Sequence, residues 1–397
     1  MKKIIFAILL NTLLFSNQVT GQKLEIFNQV RVQHDDKCKD FSTDANGNVY
    51  YGGGQYVFKK LTFPKQKVNT KYEINVSVIS GGDRYDRAGS IFVLPVDKNN
   101  SLEEVVKGKK FASNEYTKIK MIAPEGNFAP TVELMRFMTT FGIGFFSNDS
   151  LQRKPVYIPY WEKEVRWKED ISQFSTLLQG EVWVGVHIGN YTKGGHIVNA
   201  SINLTPSELS CDLPKNKIIV PILNTEPFGT NQGNDELFAY KDFQVEFNLP
   251  KGAKNPKLYY ITTGHGGHGE GDEFVKKQNI VKIDGKKVID FIPWRDDCAS
   301  FRRFNPGTGV WLKKRKAPYI QDDKGTYAVK EIEEPIASSD LSRSNWCPGS
   351  NVPPMIVPLE LNEGKHTAVF SIPEAQKNAN GTSNHWMVSA YVVYELW

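Results

Sequence analysis

The chain has 397 residues, 12% of them aromatic and 23% charged, with 32 glycines, 21 prolines and a formal charge of +5. That length suffices for two ordinary domains, and the glycine, proline and aromatic content favours a β-rich body. The mild charge, part of it on Lys2 and Lys3, excludes nucleic acid as the main partner: the basic runs Lys313–Lys316 and Lys107–Lys110 lack interleaved aromatic platforms and read as solvated loops.

In chain order, Met1-Lys2-Lys3 precedes an apolar run from Ile4 to Phe15 and a small, polar stretch to Gly21. This is the order of a secretory leader, residues 1–21, cleaved near Gly21. The run is too short to span a bilayer, and no later stretch is long enough, so membrane insertion is not expected. With no cysteine just after the run, a lipid anchor is not expected either. The leader predicts a protein secreted by a bacterium or delivered to its periplasm.

Residues 22–205 carry alternating apolar and polar runs at Tyr56–Leu61, Tyr72–Ile79, Ser90–Leu94, Glu181–Ile188 and His196–Ile202. Such alternation marks strands with one wet face. Within this domain the stretch 97–155 reads as an inserted lid. It has a short helix over Ser101–Val106 and helix-like apolar spacing over Thr131–Phe141. Its tail, Phe141 to Phe146, is apolar enough to need cover and is expected to pack on a sandwich face. Prolines and polar residues make 206–214 a linker. Residues 215–397 resume the alternation at Lys217–Leu223, Phe243–Asn248, Lys257–Thr263, Asn279–Ile283, Thr367–Ile372 and Trp386–Leu396. The predicted class is all-β, two antiparallel β-sandwiches.

The four cysteines, Cys38, Cys211, Cys298 and Cys347, permit two disulfides in three pairings, and no C-x-x-C spacing suggests zinc or thiol redox chemistry. A Cys298–Cys347 link would close about fifty residues, worth roughly 4 kcal/mol on chain-entropy reasoning. Cys38 and Cys211 would then join the first domain to the linker.

Two segments concentrate chemistry. Gly82-Asp83-Arg84-Tyr85-Asp86-Arg87 lies between two strand-like runs, which sets its carboxylates and guanidiniums at the end of a sheet. Gly264 to Phe274 sets His265, His268, Glu270, Asp272 and Glu273 among five glycines, directly after a strand-like run. Glycine admits close backbone approach, and clustered carboxylates and imidazoles move protons or hold metals.

The first segment resembles the D-x-W-D-R motif of the peptide-N-glycosidase F family. In the same order, Ile158–Trp161 is similar to that family's T-P-Y-W, and Phe174–Gly180 to its D-F-x-x-L-L-x-G. Gly264-His265-Gly266 resembles its G-x-G-H, Asp272-Glu273-Phe274 its A-E-W, and Arg343–Gly349 its R-A-G-W-C-P-G. The resemblance runs from about Tyr56 to the C-terminus, interrupted at 97–155. It implies two side-by-side eight-stranded antiparallel jelly rolls with the active site between them. The implied activity is hydrolysis of the amide joining asparagine to the first N-acetylglucosamine of an N-linked glycan, which makes N-glycosylated proteins or peptides the partners of a monomeric enzyme without cofactor or metal. It places catalysis on Asp86 and Glu273, and substrate binding on Asp83, Tyr85, Arg87, His187, His265, Arg343 and Trp346. Tyr85 and Trp346 are expected to stack on sugar rings, and Arg343 to anchor a sugar hydroxyl or the developing charge. It also implies a Cys298–Cys347 disulfide.

This sequence departs from the family in two places. His187 falls near a third acidic residue and cannot replace a carboxylate without changing pH dependence. Gly271 and Val275 stand where the family has cysteines flanking the glutamate. Two other readings are a double jelly roll that binds glycans without catalysis, and a metal-dependent enzyme using the His265/His268 loop, whose spacing lacks the helical H-E-x-x-H pattern.

Overall fold

The computed structural model describes residues 21–65, 70–94, 96, 101–106, 129–142, 162–206, 216–225, 237–266, 270–306, 310–378 and 383–396. The leader, most of the linker, Cys211, His268, Ile158–Trp161 and much of the 97–155 stretch lie outside them. The N-terminal half runs β1 (Gln22–Val32), β2 (Asn48–Tyr51), β3 (Tyr56–Phe63), β4 (Thr70–Ser80), β5 (Ala88–Leu94), α1 (Leu102–Val106), β6 (Val132–Met138), β7 (Glu164–Asp170), β8 (Gly180–Ile188) and β9 (His196–Pro206). The C-terminal half runs β10 (Asn216–Asn224), α2 (Leu237–Tyr240), β11 (Phe243–Leu249), β12 (Lys254–His265), β13 (Asn279–Ile283), β14 (Lys286–Phe291), β15 (Val310–Ile320), β16 (Tyr327–Ala337), β17 (Asn351–Val352), β18 (Met355–Pro358), β19 (Gly364–Ser371) and β20 (His385–Leu396).

The strands form two antiparallel sandwiches. The second pairs the sheets β10-β20-β12-β18 and β11-β19-β13-β14, eight strands in all. The first pairs β1-β9-β4-β7 with a six-stranded sheet β17-β6-β5-β8-β3-β2, whose edge strand β17 comes from the C-terminal half. The alternation read from sequence is what fills the cores: on β4, Tyr72, Ile74, Val76 and Val78 point inward and are buried. β15 and β16 form a separate two-stranded hairpin. The basic run expected in a loop lies on β15, where Lys314 pairs with Glu331 across the hairpin.

The stretch expected to be helical, Thr131–Phe141, holds strand β6 and belongs to the sheet, not to a lid. All seven residues of β6 are buried, since it lies between β5 and β17 with the second sandwich packed on its outer face. A strand covered on both faces loses its alternation. A bulge opposite Ile91 and Phe92 then brings Glu133 and Arg136, three apart, onto one face. The apolar residues Val132, Leu134, Met135, Phe137 and Met138 lose strict alternation in the same way, and their spacing is what reads as helix. By contrast α1 forms as expected, capped by the reciprocal Ser101 and Glu104 bonds of 3.1 and 3.2 Å.

The seam between the sandwiches positions the site. Ala88, Met138, Ile261, Trp346, Val352 and Met387 make a small apolar core there. The buried Arg136 crosses it, donating to the Met387 carbonyl at 2.6 Å while held by Glu133 at 2.9 and 3.0 Å. The seam therefore sets the start of β5 beside the end of β12, and the two motif-bearing loops leave from those points.

Candidate active site

The first loop, between β4 and β5, is folded around Asp83. This carboxylate is fully buried and accepts bonds from the Tyr85 backbone N–H and Arg87 Nε, both at 3.0 Å. Thr139, just past β6, accepts from the Arg87 N–H at 2.7 Å and donates to the Tyr85 carbonyl at 3.0 Å. With both oxygens taken inside the protein, Asp83 is a support for the loop, not the substrate contact expected from sequence. The loop holds Asp86 outward. It also stacks the Arg87 guanidinium between the rings of Tyr85, 4.9 Å away, and Tyr191, 5.2 Å away.

The second loop follows β12, and Gly264 and Gly266 at its start are closely packed. A Cβ on Gly264 would meet the Asp272 carbonyl at 2.7 Å and Trp386 at 2.8 Å. Gly266 has a φ of +138°, and a Cβ there would strike Asn384 Oδ1 at 2.2 Å. The backbone then returns past the Arg343–Trp346 segment, where the Ser344 N–H donates to the Glu273 carbonyl at 2.9 Å.

The loops converge on Arg343. Its Nε lies 2.7 Å from Glu273 Oε1 and its Nη2 is 3.6 Å from Asp86 Oδ2. The remaining guanidinium donors reach the carbonyls of Ser338, Ser339 and Leu341 at 3.2 to 3.3 Å. Arg343 is 5% exposed on its side chain, whereas Asp86 and Glu273 keep 17% and 16%. The arginine is thus a buried strut with its donors committed, and the carboxylates are the groups that face outward. The role of anchoring a sugar hydroxyl does not fit this geometry.

Burial sets the charges. It raises the Asp86 carboxyl above its ordinary value, with Arg343 and Arg87 pulling the other way. It also raises Glu273 to about 7, opposed by Arg343 and reinforced by the Asp86 charge. Two carboxylates beside one cation resist ionising together, so the pair keeps a proton into the neutral range. Such a pair can supply a base and an acid at once.

Other expected residues are placed differently. Trp346 is buried at 2% exposure beneath Arg343, its Nε1 donating to the Gly264 carbonyl at 2.8 Å, so it cannot stack on a sugar. His265 is buried between Trp346 and His385 and bonds Thr263 Oγ1 at 2.8 Å. Burial, with the charges of His385, Arg136 and Arg343, holds its pKa well below the usual value, so it stays neutral. His187 is buried on β8 and stacks on Tyr56 at 4.2 Å, a place in the aromatic packing of the sheet and not that of a missing acid. Tyr85 keeps 41% exposure and remains available. Tyr191, 57% exposed, flanks Arg87 beside Tyr85, a neighbour that sequence reasoning missed; the aromatic in the short turn after β8 was the available signal. Cys298 and Cys347 form the expected disulfide next to Trp346. Cys38 is free and half-buried. Among the described residues no group of three or more His, Cys, Asp or Glu side chains could hold a metal ion, and no helix is long and apolar enough to cross a membrane.

Comparison with known proteins adds a family. Residues 23–204 match the family model described as "Peptide-N-glycosidase F, N terminal", and residues 234–393 match "Peptide-N-glycosidase F, C terminal". Among solved structures, one of PNGF-II is similar with 32% identity and a TM-score of 0.79, covering 95% of this chain and 66% of that one. A second PNGF-II structure gives 31% identity, a TM-score of 0.75 and coverage of 95% and 65%. This chain thus spans just under two thirds of the PNGF-II chains. PNGase F, a glycosylasparaginase from Flavobacterium meningosepticum, shares the fold at 13% identity with a TM-score of 0.61, covering 95% of this chain and 96% of that one. No curated protein matches.

Proposed function

Because the chain belongs to the peptide-N-glycosidase F family, we propose that it hydrolyses the amide between an asparagine side chain and the first N-acetylglucosamine of an N-linked glycan. The products are an aspartyl peptide and a glycosylamine. The observation that carries this reading is the meeting of Asp86 and Glu273, 187 positions apart (273 − 86), on one buried arginine.

Amide hydrolysis needs a water placed on the carbonyl carbon, a base for its proton, a stabilised oxyanion and a proton for the departing nitrogen. Asp86 is the base. It is the carboxylate set between two cations, Arg343 and Arg87, which favour its ionised form. Glu273 keeps its proton to about pH 7 and stands opposite as the group that bonds the substrate amide and protonates the nitrogen as the C–N bond breaks. Arg343 fixes the spacing of the two and moderates their repulsion. Tyr85 and Tyr191, which sandwich Arg87, offer apolar faces with polar edges to a pyranose ring.

The partners are N-glycosylated proteins or glycopeptides. We also propose removal of residues 1–21 on export, and domains at 22–205 and 215–397 joined by 206–214. The test is incubation with a denatured N-glycoprotein, with and without a strong chelator. The expected result is release of the glycan and the mass gain of Asn becoming Asp, undiminished by chelation. Glycan binding without that gain would sink the proposal in favour of a recognition protein, and loss of activity on chelation would favour a metal enzyme.

A further inference from the structure

The loop that carries Glu273 begins with glycines, which bury no side chain and lose the most freedom on ordering. Glu273 itself faces a second carboxylate and sits in a partly buried position that resists its charge. Something must hold it there, and the residue just before it has the contacts to do so.

Asp272 is fully buried and tied at each of its polar groups but one. Its N–H donates to Asn384 Oδ1 at 3.0 Å and its carbonyl accepts from Ser344 Oγ at 2.6 Å. Its Oδ2 accepts from the Gln376 N–H and from Trp386 Nε1, both at 3.0 Å. Gln376 reaches on through its side chain to the Glu270 carbonyl at 2.6 Å, clamping the loop three residues before Glu273 (273 − 270). The anchors come from the start of β20, the turn after β19 and the Arg343 segment, all parts of the packed sandwich. Among the described residues Oδ1 is buried without a partner, a cost that the three bonded groups must offset. A residue that only filled space would carry no carboxylate there.

We propose that Asp272 is the positioning residue of Glu273: a buried carboxylate that pins the glycine-rich loop to β20 and so sets the acid opposite Asp86. The inference rests on the reading of Glu273 as the acid. Burial raises the Asp272 carboxyl too, opposed by the bonds it accepts from Gln376 and Trp386. The groups facing Glu273 are Arg343 beside it, Asp86 from the first sandwich and the Gly266 N–H on its own loop, and its raised pKa depends on staying among them.

The experiment compares Asp272→Ala, Asp272→Asn and Trp386→Phe with Glu273→Gln in the full chain, measuring kcat, KM and the pH profile on one N-glycopeptide. Asn keeps an acceptor for Gln376 and Trp386 and puts N–H donors where Oδ1 now lacks a partner. Asp272→Ala should lower kcat roughly tenfold to a hundredfold with KM within about twofold. Its alkaline limb should move down by about one pH unit as Glu273 gains solvent. Asp272→Asn should keep the limb and most of the turnover. Trp386→Phe, which removes one bond and keeps the packing, should show a smaller shift of the same sign, and it carries the test if Asp272→Ala does not fold. A wild-type limb and kcat in both Asp272→Ala and Trp386→Phe, alongside an impaired Glu273→Gln, would overturn the proposal. Wild-type turnover in Glu273→Gln would instead bring down the reading of Glu273 as the acid.

Discussion

The loop bearing Asp86 and the loop bearing Glu273 end within reach of the same arginine, yet the first carries an ion pair of its own across five residues and the second rests its buried aspartate on segments far away in the chain. The Asp83–Arg87 loop carries its own tie, an Asp83–Arg87 ion pair four residues apart whose carboxylate is buried, and adds bonds to Thr139, Gly142 and Gly195. The described part of the Glu273 loop is tied through Asp272 to Asn384, Gln376, Trp386 and Ser344, about 70 to 110 positions away. A base flanked by cations suits a compact, self-tied turn. An acid that must stay protonated is better served by a loop pressed against the body of a second sandwich, where burial does the raising.

The contrast breaks most sharply at Asp86. Asp86→Asn keeps the shape and the contact with Arg343 but removes the base, so turnover on a glycopeptide should fall by about a thousandfold or more. Melting should be unchanged or slightly improved, because the replaced carboxyl was held above its ordinary pKa by burial. Mass spectrometry of the peptide product and a thermal melt check both, and near-native turnover would remove Asp86 from the chemistry.

Glu273→Gln tests the other side. Glutamine retains a hydrogen bond to the substrate but gives no proton, so kcat should drop by roughly a hundredfold and the alkaline limb near pH 7 should vanish. Stability moves with a definite sign. The folded pKa of about 7 lies above the ordinary 4.5, so the wild type loses stability as pH rises through that window. The variant lacks this loss, and its melting temperature should gain on the wild type between those two pH values. A core-sized drop at every pH would make Glu273 structural instead.

The same contrast explains what could be read in advance. Asp83, Asp86 and Arg87 fall within five residues, so their grouping was visible in the sequence, although which carboxylate points inward was decided by Thr139 and the chain around it. The clamps on Asp272 come from distant segments whose pairing only the folded sheets create. Trp346 looked like a sugar platform because aromatic type says nothing about burial; the seam between sandwiches decided that. The bulged, doubly covered β6 imitated a helix for the reasons its pairing shows. The β15–β16 hairpin left a trace in charge, since Lys314 and Lys316 stand opposite Glu333 and Glu331, a complementarity visible only when the two runs are compared in reverse order.

The smallest effect separates surface from support within the first loop. Tyr191 is the most exposed partner of Arg87, makes an edge-on contact with His34 at 6.0 Å and belongs to neither core, so its removal opens no cavity there. If its ring receives a sugar, Tyr191→Ala should raise KM about threefold to tenfold, the worth of one aromatic contact, and leave kcat and the pH limbs in place. Tyr191→Phe should restore KM if the ring face is what binds. A fall in kcat without a change in KM would mean that Tyr191 acts by steadying Arg87 and, through it, Asp86, and the self-tied loop would then depend on its neighbour after all.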